Sequence, residues 1–241
     1  MQQKTKGIVL GNRPYNDKYS IVHVFTEALG RVAYMLPRRT SKRQSLSRAL
    51  FMPMSLIEIE CDCSEKREIY PLKEVRSLRP LHHIYASPVK NSLLFFLAEI
   101  LSKALHEAPA DQRLFQYIEE SVFYLEQTEQ SAANFHLLFL YRLTRYLGFP
   151  PNLDNYTESS YFDLAGGCFV PFPPTHRHYL QPNDAKTLLT LNRMDFGNLT
   201  LFSFTNNERR MVLDYFVEYL RLHIPNFGTL KSYEVLQELF L

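Results

Sequence analysis

Six lysine and arginine side chains lie between Glu27 and Glu58, and no aspartate or glutamate lies among them. Positive charge that nearby acids do not compensate attracts polyanions, and the phosphate backbone of a nucleic acid is such a polyanion. The alternative is a solvated surface loop, because runs of like charge also occur on surfaces that bind no ligand. The six cations are Arg31, Arg38, Arg39, Lys42, Arg43 and Arg48.

Tyrosines at positions 15, 19 and 34 are interleaved with these cations and with two earlier ones. Aromatic rings stack on unpaired bases while cations follow the phosphates, and stacking does not depend on base identity. The alternative for Tyr19 and Tyr34 is that they fill a protein core. We predict a sequence-independent nucleic-acid-binding surface made of Arg13, Lys18, Arg31, Tyr34, Arg38, Arg39, Lys42, Arg43 and Arg48.

The sequence carries no recognisable catalytic motif. It has no Gly-x-x-x-x-Gly-Lys loop to hold nucleotide phosphates and no Gly-x-Ser-x-Gly turn to present a nucleophile. Glu58 and Glu60 share a strand face but belong to no paired-carboxylate motif. We therefore expect a binding protein that is not an enzyme and uses no cofactor.

Metal ligands are also few. Cys61-x-Cys63 has no second cysteine pair at zinc spacing, so a structural role is favoured for both thiols. Cys168 lies near His176, His178 and Asp163, yet their spacing matches no common zinc module. We expect no metal site.

The elements that position the cations are strands. Alternation of apolar and polar residues, with β-branched side chains, indicates five strands in the first 80 residues. Pro71 cannot donate a hydrogen bond and should lie at a sheet edge or a bulge. Five short strands in this length predict an OB-fold barrel. The predicted strands are 6–10, 19–25, 31–36, 56–60 and 69–75.

From Ser87 the apolar period changes to that of a helix. Ser87-Pro88 and Asp111 are helix-start signals, a third helix over about 132–147 ends at Gly148, and Thr205 or Asn206 can cap a later one. Residues near 150–183 are rich in loops. The prediction is an α+β chain, with an OB-fold domain at 1–80 and a helical domain at 81–241.

The charge is divided unevenly between these parts. Residues 1–80 hold 15 basic and 8 acidic side chains, a net charge of +7, whereas the remainder is net negative. Three cysteines argue against a disulfide framework, and neither a signal peptide nor an apolar run of about 20 residues is present. A cytoplasmic protein that does not enter a membrane is expected.

Several short motifs resemble the RecO family of bacterial recombination mediators. They are Lys4 to Leu10, Asp17-Lys18-Tyr19, Phe25-Thr26-Glu27 with Gly30-Arg31, the basic segment after Leu36, and Lys231-Ser232 before the last predicted helix. The resemblance implies that the protein binds single- and double-stranded DNA and anneals complementary strands. It also implies work with RecR to load the RecA recombinase on strands coated by single-stranded DNA-binding protein.

The resemblance further implies that the helical domain receives the acidic, hydrophobic C-terminal tail of single-stranded DNA-binding protein. Arg142 and Arg145 lie one helical turn apart and form a local basic patch that suits such a tail. The alternative is that they pair with acids such as Glu119 or Glu120.

One departure from the family is plain. Many members carry a four-cysteine zinc site in the loop-rich insert, but here Cys168 is the only cysteine in the insert, so the thiolate ligands are missing. We expect the insert to be held by packing of Phe162, Phe169 and Phe172 and by its prolines.

Two other functions remain open from the residues. The barrel could bind protein, as an interaction scaffold, with the basic loop serving only solubility. It could also bind RNA, because the charge and stacking arguments do not distinguish the sugars.

Overall fold

The computed structural model describes residues 2–38, 50–62, 67–72, 74–129 and 132–239. A six-stranded sheet forms the N-terminal part, in the order β5-β3-β2-β1-β4-β6. Its strands are β1 (Gln2–Pro14), β2 (Tyr19–Thr26), β3 (Gly30–Pro37), β4 (Leu56–Asp62), β5 (Ile69–Pro71) and β6 (Glu74–Arg79).

The pairing is that of an OB fold, which confirms the predicted fold class. The fifth predicted strand, 69–75, is divided into two: β5 pairs in parallel with β3, and β6 pairs antiparallel with β4. These two short strands lie at opposite ends of the sheet order, yet only two residues separate them in sequence. Pro71, which has no N–H to donate, ends β5 at the sheet edge as predicted.

The core follows the alternation of the strands. Val22, Val24, Val32, Tyr34, Ile57 and Ile59 are among the buried side chains that form it. Gly30 begins β3 with φ +71°, and a Cβ at this position would lie 2.4 Å from the Ala108 carbonyl oxygen. The β2–β3 turn therefore requires glycine, because an L side chain would be both strained and in collision.

Seven α-helices lie wholly within the described residues. They are α1 (His82–Ala86), α2 (Pro88–Ala104), α3 (Gln112–Gln127), α4 (Phe135–Tyr146), α5 (Pro182–Arg193), α6 (Asn206–His223) and α7 (Ser232–Leu239). A short three-stranded sheet, ordered β8-β7-β9, consists of β7 (Tyr161–Asp163), β8 (Cys168–Val170) and β9 (Tyr179–Leu180).

The predicted helix caps are confirmed. The Lys90 amide donates to the Ser87 side chain over 3.4 Å, and the Leu114 amide donates to Asp111 over 3.0 Å. Thr205 forms a capping box with Glu208.

Two helices, α1 and α5, were not predicted from the sequence. His82 and His83 begin α1 directly after the last strand of the six-stranded sheet. The Glu126 carboxylate accepts hydrogen bonds from the His83 and Ile84 amides, both at 2.9 Å. This cap comes from a residue more than 40 positions away, so no local pattern reveals it.

The chain forms two compact units. One contains residues 1–127 with 230–236, and the other contains 128–229 with 237–241. The sequence-derived division at residues 80 and 81 stays a prediction. Within the described residues, no helix combines the length and the hydrophobicity that a membrane crossing requires.

The last helix is attached to the first unit through Glu99 on α2. Its carboxylate accepts hydrogen bonds from the Lys231 amide (3.0 Å), the Ser232 amide (2.8 Å) and the Ser232 hydroxyl (2.5 Å). Partial burial alone would raise the pKa of Glu99, but the bonds from Ser232 and Lys231 outweigh it and the pKa is lowered. The Lys-Ser pair noted in the sequence is thus the start of a helix held by a distant carboxylate.

We expect Glu99→Ala to release the start of α7. Hydrogen bonds to a charged acceptor contribute roughly 1.5–3 kcal/mol, so the opening free energy of α7 amides should fall by about that amount. Hydrogen exchange of residues 232–239 measures this directly. Because the folded-state pKa of Glu99 is lowered, the contribution is present at neutral pH and is lost as the pH falls through that pKa. Unchanged exchange in α7 would contradict the assignment, and Glu107→Ala, an exposed change after α2, is the control.

Candidate nucleic-acid interface

The outer face of β1, β2 and β3 carries side chains in cross-strand rows. Arg13 lies opposite Ile21, and Ile21 lies opposite Met35. In the next row His23 lies between Gly11 and Ala33. Successive rows are two residues apart, about 6.6 Å along the strands. We call this surface, with the hairpin tip and the cations at its two ends, the outer face; its members are Arg13, Tyr15, Lys18, Tyr19, Ile21, His23, Arg31, Ala33, Met35, Pro37 and Arg38.

The hairpin tip that joins β1 to β2 has a fixed shape. The Asn16 side-chain oxygen accepts hydrogen bonds from the Lys18 amide (2.9 Å) and the Tyr19 amide (2.8 Å). The Tyr15 amide donates to the Tyr19 carbonyl over 3.0 Å. Both tyrosine rings are exposed, Tyr15 by 61% and Tyr19 by 36%. The tip therefore presents two aromatic rings on a short turn that side-chain and backbone hydrogen bonds hold in place.

Three of the predicted cations lie at this end of the sheet. The Arg38 amide donates to the Lys18 carbonyl (2.7 Å), and its guanidinium donates to the Asn16 carbonyl (3.1 Å). Arg13 is one strand position from Pro14, which pairs with Ser20. Arg13, Lys18 and Arg38 are all exposed, and none of them has a carboxylate partner among the residues that the structure describes.

Arg31 lies at the other end of the outer face and is partly buried. Its guanidinium donates a hydrogen bond to the Ser102 carbonyl oxygen over 2.8 Å. Its charge has no acidic partner in the described part of the chain. Burial lowers the pKa of Arg31, and the nearby charge of Arg13 acts in the same direction.

His23 lies on the outer face between the rows of these two arginines. Burial, with the positive charges of Arg31 and Arg13, lowers the pKa of His23 to about 4, and His106 adds to the effect. The ring is therefore neutral at pH 7. The outer face thus combines a neutral imidazole and apolar side chains with cations that form no ion pair with the described acids.

The structure corrects one predicted site residue. Tyr34 is only 1% exposed and packs in the core beside Tyr70, with ring centroids 6.4 Å apart. It lies on the inward phase of β3, with Val32, so its ring cannot reach a base. The structure therefore supports the alternative interpretation, in which Tyr34 fills the protein core. Four further predicted cations, Arg39, Lys42, Arg43 and Arg48, lie outside the described residues.

The strands β1, β4 and β6 carry cations of a different kind. Arg76 contacts Glu58 at 2.7 Å, and Lys4 lies 3.8 Å from Glu60. The hydrogen bond from Arg76 lowers the pKa of Glu58. Acids on neighbouring strands therefore compensate these cations, so the surface potential should be weaker here than on the outer face.

A second basic site lies in the helical unit. A groove of about 470 Å³ has Arg142 and Arg145 in its wall. The Arg142 guanidinium donates to the Met194 carbonyl over 2.6 Å, and Tyr141 donates to the Asn192 side chain over 3.0 Å. Within residues 132–229 neither arginine has a carboxylate partner. We call this the groove; its lining residues are Tyr141, Arg142, Arg145, Pro150, Pro151, Asn152, Leu153 and Asn192.

The acids considered as alternative partners of these arginines have contacts of their own. Glu119 lies 3.5 Å from Lys6, and Glu120 accepts a hydrogen bond from Gln116 over 2.8 Å.

The insert does not offer the ligands of the family's zinc site. His176 contacts Asp163 at 3.4 Å and His178 contacts Glu218 at 2.5 Å, so both imidazoles are engaged by separate carboxylates. No group of three or more potential metal ligands occurs in the described residues. One cysteine cannot replace four thiolates, and the residues present do not fit a tetrahedral zinc ion.

Aromatic packing holds the insert, but not through all the predicted residues. Phe162 and Phe169 are buried and meet edge to face, with centroids 5.1 Å apart. Tyr156 packs against Phe169 in the same manner. Phe172 is 78% exposed, so the expectation that it packs in the insert is wrong.

The fold is therefore that of an OB-type protein with a helical C-terminal part, and comparison with known proteins agrees. Residues 1–81 match the family described as "Recombination protein O N terminal", and residues 86–234 match "Recombination protein O C terminal". The chain belongs to the RecO family, and a role in recombinational DNA repair follows.

Similarity to relatives extends over the full length. The chain is 41% identical over 240 residues to the DNA repair protein RecO of Azobacteroides pseudotrichonymphae, covering 100% of both chains. It is 41% identical over 241 residues to that of Bacteroides fragilis and 32% identical over 241 residues to that of Flavobacterium psychrophilum, again with 100% coverage of both chains.

Proposed function

We propose that this protein binds single- and double-stranded DNA through the outer face and anneals complementary strands. We further propose that it works with RecR to load recombinase on strands coated by single-stranded DNA-binding protein. The observation that carries the proposal is a set of exposed cations with no carboxylate partner among the residues described, beside the exposed rings of Tyr15 and Tyr19. These cations are Arg13, Lys18 and Arg38. Membership in the RecO family supports the same function.

Annealing follows from charge neutralisation. Two DNA strands repel each other, and a surface that neutralises phosphates lowers this repulsion while condensed counterions are released. Base pairing is energetically downhill, so the step needs no nucleotide hydrolysis and no catalytic residue. The absence of a phosphate-binding loop from the sequence is consistent with a protein that is not an enzyme.

The second element of the proposal is the groove. Its arginines can bind carboxylates while its prolines and Leu153 contact an apolar side chain. An acidic, hydrophobic C-terminal tail, such as that of single-stranded DNA-binding protein, has the matching chemistry. A protein with these partners acts in the cytoplasm. In this proposal, residues 1–80 form the DNA-binding domain and residues 81–241 form the partner-binding domain.

A strand-annealing assay tests the proposal. Two complementary labelled oligonucleotides, bare or saturated with single-stranded DNA-binding protein, should pair faster in the presence of this protein and without ATP. Acceleration should be lost in high salt, because the driving contacts are electrostatic. If pairing is not accelerated at low salt, or if acceleration requires ATP, the proposed function is wrong. A matched RNA pair in the same assay distinguishes a DNA-binding protein from an RNA-binding one.

A further inference from the structure

We propose that Tyr15 and Tyr19 form a base-stacking pair that makes the outer face select single strands over duplexes. This inference rests on the proposed DNA binding and adds the residues that determine which form of DNA is preferred. Its basis is the placement of two exposed rings at the hairpin tip, among cations that have no carboxylate partner in the described parts of the chain.

The two tyrosines are neighbours on one side of the hairpin. Pro14 pairs with Ser20, which is buried, so positions 15 and 19 come next and belong to the opposite, outward phase. The hydrogen bond from the Tyr15 amide to the Tyr19 carbonyl holds them together. Residues opposite each other in such a pair have Cβ atoms about 4.5–5.5 Å apart. Both exposed rings therefore lie on the outward side of the hairpin tip, and the Asn16 side chain fixes the turn that carries them.

This surface continues along the strands. The next outward row is Ile21 and Met35, both half-buried, followed by the neutral ring of His23. The rows repeat at about 6.6 Å. In a duplex, successive base pairs are stacked ~3.4 Å apart, about half the spacing of these rows. Bases that each contact a successive row must therefore be unstacked from one another, as they can be in a single strand.

A duplex cannot use the rings in this way. Its base faces are covered by the neighbouring base pairs, so it can contact only the cations around the tip. A single strand can contact the same cations and can also lay its bases on the rings. The cations should then bind both forms of DNA, and the tyrosines should add affinity for one of them.

The effect should be large enough to measure. Stacking of one base on an aromatic side chain corresponds to roughly 5- to 150-fold in affinity. Removing both rings with Tyr15→Ala and Tyr19→Ala should therefore weaken binding of an oligothymidylate by about 30-fold or more. Binding of a duplex of equal length should change by less than about 3-fold.

The test measures affinity for both DNA forms across a salt series. The slope of log affinity against log salt should stay unchanged in the double alanine variant, because all cations remain. Replacing both tyrosines with Phe should retain single-strand affinity, since stacking requires the ring and not the hydroxyl. Replacing both with Leu should lose it. Phe172→Ala removes a ring of the insert that is more exposed than either tyrosine, and it serves as the control.

The outcomes separate this inference from the function on which it rests. If the alanine variant loses single-strand and duplex binding equally, or loses neither, the stacking pair is disproved while DNA binding stands. Restoration by Leu as well as by Phe would also disprove it. If the unaltered protein binds neither form at low salt, the proposed function itself fails.

Discussion

Replacing Arg13, Lys18 and Arg38 together by Gln should lower single-strand affinity about 100-fold at 0.1 M salt and flatten its salt dependence. Each neutralised phosphate contributes about 0.7 to the log–log slope for single strands and about 0.9 for duplexes. Binding to about five phosphates gives a slope of roughly −3.5 for single strands, so the triple variant should retain about −1.4. These residues are exposed, and the variant should fold normally.

A matched control removes the same charge elsewhere on the sheet. Lys4, Lys6 and Arg76 have carboxylate partners in Glu60, Glu119 and Glu58, respectively. Changing all three to Gln lowers the net charge by the same amount as the outer-face variant. The salt slope should stay within about half a phosphate contact of the original. Equal losses in both variants would show that overall charge, not the outer face, controls binding.

The basic segment after Leu36 is tested by the same measurement. Arg39, Lys42 and Arg43 lie outside the described residues, and their role remains the sequence-based prediction. If they follow the phosphates, changing them to Gln should flatten the slope further when added to the outer-face variant. If they only keep the protein soluble, the slope should not change.

The sequence predicted the barrel strands because their alternation is local. Inward and outward residues of β2 and β3 can be identified without knowledge of their partners. The division of the predicted fifth strand into β5 and β6 depends on two different pairing partners, β3 and β4, which no local pattern records.

The nucleic-acid interface was predicted in part, again because charge and alternation are local features of the sequence. Arg13, Lys18 and Arg38 lie exposed at the hairpin tip. Tyr34 was misplaced although its position could have been found: with Arg31 pointing outward, period-two alternation puts Val32 and Tyr34 inward. His23, Ile21 and Met35 share the outward phase and were overlooked because none of them carries a charge at neutral pH or an aromatic phenol ring.

The helical unit was harder to predict because its contacts are non-local. The walls of the groove come from α4, from residues 150–153 and from Asn192 on α5, a helix that was not predicted from the sequence. Arg142 and Arg145 were found from their own spacing. The contact of Arg142 with the Met194 carbonyl, and the surroundings of both arginines, depend on the fold of the whole unit.

Charge reversal in the groove should abolish binding of an acidic tail without affecting DNA. Hydrogen bonds between charged partners contribute roughly 1.5–3 kcal/mol each, so Arg142→Glu with Arg145→Glu should weaken a tail peptide by at least about 100-fold. A labelled peptide with the C-terminal sequence of single-stranded DNA-binding protein, titrated by fluorescence anisotropy, measures this loss. DNA affinity and its salt slope should remain those of the unaltered protein, because the outer face is intact.

Two further variants make the result specific to the groove. Arg142 donates to the Met194 carbonyl, so its loss could disturb the fold locally, whereas Arg145 is exposed and Arg145→Glu alone should cost about 10-fold or more. Lys186→Glu reverses an exposed charge on α5 that does not line the groove and should leave peptide binding unchanged. In annealing, the groove variant should then lose its effect on protein-coated strands but keep its effect on bare strands. Loss on both kinds of strand would mean that these arginines contact DNA and not the tail.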